Sequence, residues 1–105
     1  MTYREKAEYV EKLSVGGTAE KALGDLGRPS IIKQRGDIKE YVYLNPKVTK
    51  GKMERASLCV VYERVIRTAV SGADGDKVKE TSPEDMEAIC NERHMRKATY
   101  ERKAL

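Results

Sequence analysis

The stretch Met53–Val70, MERASLCVVYERVIRTAV, constrains the fold more than any other part of the chain, because it is the longest uninterrupted apolar-rich segment. Wound at about 100° per residue, Leu58, Cys59, Val61, Tyr62, Val65, Ile66, Ala69 and Val70 cover half of a helix surface. Glu63, Arg64 and Arg67 gather on the opposite side with Val60. A helix at the surface of a domain needs only an apolar stripe, and an arc near roughly 180° implies contacts on more than one side. The pattern predicts a core helix over residues 52–71, which also offers a seam for a homodimer.

Size limits what can surround that element. With 105 residues the chain is one domain, 1–105, with a modest core. Trp and Phe are absent, six Tyr supply all the aromatic bulk, and 36% of residues are charged, which favours marginal stability or oligomerisation. The net charge of +4 is spread among both signs, and it permits a polyanionic partner without demanding one. Cys59 and Cys90 are the only cysteines and form no Cys-x-x-Cys pair. Residues 1–13 have no leader pattern and no apolar run reaches the roughly 18 residues of a membrane span. The expectation is a soluble, cytoplasmic chain with reduced thiols and no membrane partner.

Local signals divide the rest. Tyr3, Ala7, Val10 and Leu13 recur at helical spacing, predicting a helix over 2–13 with Thr2 as N-cap, stopped by Gly16-Gly17. Thr18 opens a second, short helix over 18–26, with Ala19, Ala22, Leu23 and Leu26 on its apolar side; Gly27 supplies its C-cap and Pro29 blocks continuation. The period then changes to two. Ser30–Arg35 and Ile38–Leu44 flank Gly36-Asp37, a pair suited to a type II′ turn. That register sets Arg35 opposite Ile38, Lys33 opposite Glu40, Ile32 opposite Tyr41 and Ile31 opposite Val42, combinations that stabilise a hairpin over 30–44. Lys47–Lys52 is a basic connector, and Ala73–Thr81 reads as a polar loop. Ser82-Pro83-Glu84-Asp85 starts a last helix over 83–103, whose C-terminal end is basic.

No constellation of catalytic residues stands out. Cys90 and His94 share a helix face, as paired ligands would, but no second His completes a metal set. The Asp-x-Asp of Ala73–Thr81 lacks the later ligands of a calcium loop. There is no nucleophile elbow or phosphate-binding Gly loop. Arg35-Gly36-Asp37 is the hairpin tip, and Gly27-Arg28-Pro29 lacks the leading Arg of an AT-hook. The reading is non-enzymatic, with no catalytic residue, no metal and no cofactor.

The arrangement Ala7–Leu44 resembles the second half of a winged helix-turn-helix domain. Leu13-Ser14-Val15 stands at the turn, Thr18–Leu26 at the recognition helix, Lys33–Asp37 at the wing and Tyr41–Leu44 at the returning strand before a long dimerisation helix. The resemblance implies a DNA-binding regulator in which the second helix enters a major groove while the wing reaches phosphates. Its DNA-binding residues are then Lys21, Arg28, Lys33, Arg35 and Lys39. The alternative is a protein-interaction module, an adaptor or inhibitor, working through Tyr41 and Tyr43 on the outer hairpin face and Arg93 and Lys97 of the basic last helix. The fold expected in either case is α+β and mainly helical: four helices and one β-hairpin, with the hairpin side of Ile31, Ile38, Val42 and Leu44 packed on the central helix.

Overall fold

The computed structural model describes residues 1–47, 54–72 and 75–92. Its centre is a sheet. Five antiparallel strands, β1 (Ile31–Arg35), β2 (Ile38–Leu44), β3 (Arg55–Val61), β4 (Arg64–Gly72) and β5 (Gly75–Glu80), lie side by side in chain order. Among the described residues there are three helices: α1 (Tyr3–Lys12), α2 (Glu20–Leu26) and α3, residues 83–92.

The expected core helix over 52–71 is therefore replaced by β3, a tight turn and β4, and the mainly helical, four-helix architecture gives way to a sheet-rich one. The physical reason lies in burial on both faces. Ala56, Leu58 and Val60 point toward α1 and α2, while Ser57, Cys59 and Val61 point the other way, and all six are buried. A strand covered on both sides is apolar at nearly every position, so it shows no alternation and mimics a buried helix. Its β-branched content (Val60, Val61, Val65, Ile66, Thr68 and Val70) favours the extended chain. The turn itself is unmarked: Tyr62 and Glu63, at φ +49° and +69°, both adopt the left-handed conformation without a Gly or Asn to announce it. β3 and β4 consequently form the middle of the sheet, and from Arg55 onward no helix is present to offer the expected dimer seam. The polar loop expected over 73–81 is also mostly strand, since β5 pairs with β4 from Arg67↔Glu80 to Gly72↔Gly75.

Other local expectations agree with the structure. The β1–β2 register is Arg35↔Ile38, Lys33↔Glu40, Ile32↔Tyr41 and Ile31↔Val42, and Gly36 turns at φ +62°. Thr2 caps α1 in a reciprocal box with Glu5, each accepting from the other's backbone N–H. Gly27 closes α2 at φ +76°, and the Asp85 N–H donates to Ser82 Oγ (3.1 Å) at the start of α3. Thr18, however, does not cap α2. Residues 16–19 instead run beside the start of β4, with Gly16 N to Val65 O at 2.6 Å, Val65 N to Gly17 O at 2.8 Å and Ala19 N to Glu63 O at 2.8 Å. Arg93, Lys97, His94 and the rest of the last helix expected to 103 lie outside the described residues.

The core sits between the sheet and the first two helices: Val10, Ala19 and Leu26 meet Tyr43, Ala56, Leu58, Val60 and Val65. On the other face Ile89 of α3 is buried, and Arg64 reaches Glu92 at 3.3 Å. A charged row crosses this second face, Lys33, Glu40, Cys59, Arg67 and Glu80 standing side by side on successive strands.

Candidate interaction surface

The sheet separates the basic residues expected to share a DNA surface. α2 lies on the face of Tyr43 and Leu58, and its Lys21, like Arg28 just beyond it, is exposed. Because β1 alternates, Lys33 and Arg35 emerge on the opposite face with Glu40 and Ile38, whereas Lys39 emerges on the helix face opposite Gln34. A groove-entering helix and a wing must meet one duplex from one side, and these five cations do not. Three further strands also follow where the resemblance requires a long helix. The sheet-rich topology therefore differs from that of the winged helix which Ala7–Leu44 resembles, and the five cations do not share the single face that a DNA-binding role of that type requires.

The tyrosines are likewise placed differently from expectation. Tyr43 is 1% exposed, its hydroxyl donates to Gly27 O (3.0 Å), and the Lys6 ammonium lies 5.5 Å from its ring centre. Burial, followed by the field of Tyr41, pushes its pKa up. Tyr41 is half-buried against the same cluster. Both therefore pack the core, while Val42 on the other face is buried as well. Neither face of β2 was the free one; β1, the strand outside it, is.

Residues 30–39 are all exposed, including Ile32 at 58%, Ile38 at 41% and Ile31 at 39%. β1 is paired only with β2, so one side of its backbone faces outward along a strand that carries two Ile, two cations and no acid. Glu40 is engaged by Lys33 (3.9 Å) and by the Cys59 thiol (3.6 Å), whose pKa rises through burial first and the nearby carboxylate second. Asp37 accepts from the Tyr62 hydroxyl at 3.1 Å, which ties the two neighbouring turns together. The signal for this edge is present in the sequence as Ile31-Ile32, although Ile31 and Ile38, expected on the packed hairpin side with Val42 and Leu44, are exposed.

The opposite edge is guarded. Lys77 pairs with Glu11 (2.9 Å), Lys79 donates to Leu13 O (2.6 Å), Arg67 lies 3.2 Å from Glu80, and Val78 is the one large apolar side chain of β5. Charges of both signs along an edge are a usual defence against pairing. A cleft of about 930 Å³ opens between the start of α1 and the ends of β2 and β4, with Tyr3, Lys6, Lys47, Glu54 and Lys77 in its wall. The Tyr3 hydroxyl has no hydrogen-bond partner among the described residues, and burial, then Glu54, raise its pKa. Among the described residues that wall carries no thiol or imidazole. Among the described residues no group of three or more His, Cys, Asp or Glu is placed to hold a metal, and no helix is long and apolar enough to cross a membrane. Cys59 and Cys90 are free.

What the geometry defines is an α+β protein, a five-stranded antiparallel meander with two helices on one face and two edge strands, β1 with its exposed isoleucines and β5 with its charges. No family model matches the chain, and no curated protein and no solved structure is found similar to it.

Proposed function

We propose that this chain is a non-enzymatic protein-interaction module whose contact surface is the β1–β2 hairpin. The observation that carries the reading is the unbroken exposure of residues 30–39 around three isoleucines, in a sheet whose other edge is charged and tied down. Large apolar side chains grouped at one exposed place mark a contact surface, and cations beside them select the partner by charge. The surface differs from the one the tyrosines suggested: Tyr41 and Tyr43 support the hairpin from beneath while Ile31, Ile32, Lys33 and Arg35 face outward.

A photo-crosslinking residue placed at Ile32 tests this in a native extract, with one at Val78 as control. One defined protein adduct at position 32, absent at 78 and lost when Lys33 and Arg35 become Glu, is the expected outcome. Equal adducts at both positions, or a nucleic-acid adduct at 32, would overturn the proposal.

A further inference from the structure

We infer that β1 accepts an acidic, extended segment of a partner as a sixth strand of the sheet; the inference rests on the hairpin being the contact surface. Three observations lead there. First, the buried rows of both faces run out into water at β1. On the helix face the row passes from Leu58, 0% exposed, through half-buried Tyr41 to Ile32 at 58%. On the other face it passes from Ser57 and Val42, 6% and 3% exposed, to Ile31 at 39%. A strand added outside β1 would lengthen both rows by one place and cover both isoleucines, while its backbone used the outward side of the ladder.

Second, the charge of this edge is one-sided. Between Arg28 and Glu40 there are four cations, Arg28, Lys33, Arg35 and Lys39, and two acids. Both acids are already engaged, Glu40 by Lys33 and Asp37 by Tyr62. Third, the same charge disfavours a second copy of this chain. Antiparallel pairing of β1 with itself over its full five residues sets Lys33 opposite Lys33 of the copy and brings each Arg35 next to that pair. An acidic strand meets the edge without that repulsion.

Register then specifies the partner. In the antiparallel sense, which gives the better hydrogen-bond geometry, residues facing Arg35, Gln34, Lys33, Ile32 and Ile31 follow one another along the segment. The recognised pattern is acid, polar, acid, apolar, apolar.

The test uses the isotope-labelled full chain and a blocked peptide containing Glu-Thr-Glu-Val-Val, followed by amide chemical shifts and hydrogen exchange. Shifts and slowed exchange centred on 31–35 are expected, with affinity falling about tenfold or more when Lys33 and Arg35 become Glu. The deciding measurement acts on the peptide, so it is independent of any folding defect in the variant. N-methylation at one alternating set of peptide amides should abolish binding, and methylation at the other set should leave it within about threefold, because only every second N–H of a strand faces its neighbour. Equal tolerance of both sets would overturn strand addition while leaving the hairpin as a contact surface. Absence of peptide binding overturns the inference alone if the adduct at Ile32 persists, and both readings if that adduct is missing too. Tighter, salt-sensitive binding of a short duplex DNA to the same amides would overturn the acidic segment as occupant.

Discussion

Replacing Glu63 separates a hairpin over 55–72 from a helix by the sign of one number. Glu63 is exposed at the β3–β4 turn with φ +69°, and its carbonyl accepts from Ala19 N at 2.8 Å, a bond that survives any side-chain change. A residue with a Cβ held in the left-handed region is strained by roughly 1–2 kcal/mol. Gly escapes that strain but loses about 0.5–1 kcal/mol more backbone entropy on folding than Ala. Glu63→Gly should therefore be more stable than Glu63→Ala by about 0.5–1 kcal/mol, and the comparison cancels the carboxylate lost in both. In a helix the order reverses, Ala exceeding Gly by about 1 kcal/mol. Urea titrations followed by circular dichroism measure the difference, and in thermal melts it amounts to about 3–6 °C. If Glu63→Ala proves the more stable variant, the left-handed turn, and with it the strand reading of this segment, is wrong.

Further expectations concern the core, the titrating groups and the last helix. Leu58→Ala should lose about 3 kcal/mol in the same titrations, because the side chain is fully buried between Tyr41 and Thr68 on the helix face; a loss below about 1 kcal/mol would contradict that packing. The Tyr9 hydroxyl donates to Asp25 Oδ2 at 2.6 Å, and that bond, ahead of burial and the carboxylate charge, raises its pKa from 10.0 to about 12. A folded-state pKa above the unfolded one makes the contribution complete below pH 10.0 and progressively lost toward about 12, so the stability gap between the native chain and Tyr9→Phe should close across that window. Thiol labelling should modify exposed Cys90 at once and buried Cys59 only at the rate of opening; equal rates would place Cys59 at the surface. Arg64→Ala should speed amide exchange in α3 while changing global stability by less than about 1 kcal/mol, since the ion pair with Glu92 is partly solvated.

Much of the N-terminal half was legible because its signals are local. Thr2, Gly27 and Gly36 each mark a boundary through their own backbone preference, and the alternation of residues 30–44 carried a register that the strands keep. Residues 53–70 were not legible, because apolar positions at every step fit a helix buried all round and a strand buried on both faces alike. A Gly or Asn at 62 or 63 would have broken the tie; Tyr and Glu do not. The candidate site failed for a related reason. Assigning Val42 to the core left Tyr43 outside by alternation, whereas a sheet covered on both faces takes both inward and hands the surface to the neighbouring strand.

The stitching of residues 16–19 to the start of β4 bears on how the chain assembles. The strands are ordered as they are made, so the meander can zip up from one hairpin to the next. The two helices that precede the sheet in the chain meet Tyr43 of β2 first, but the rest of their support, β3 and then Val65, comes up to nearly fifty residues after Gly16. A nascent chain of 1–47 would thus carry helices covered only by Tyr41 and Tyr43, and a ribosome-bound series lengthened past residue 65 should gain most of its protease resistance in one step rather than gradually.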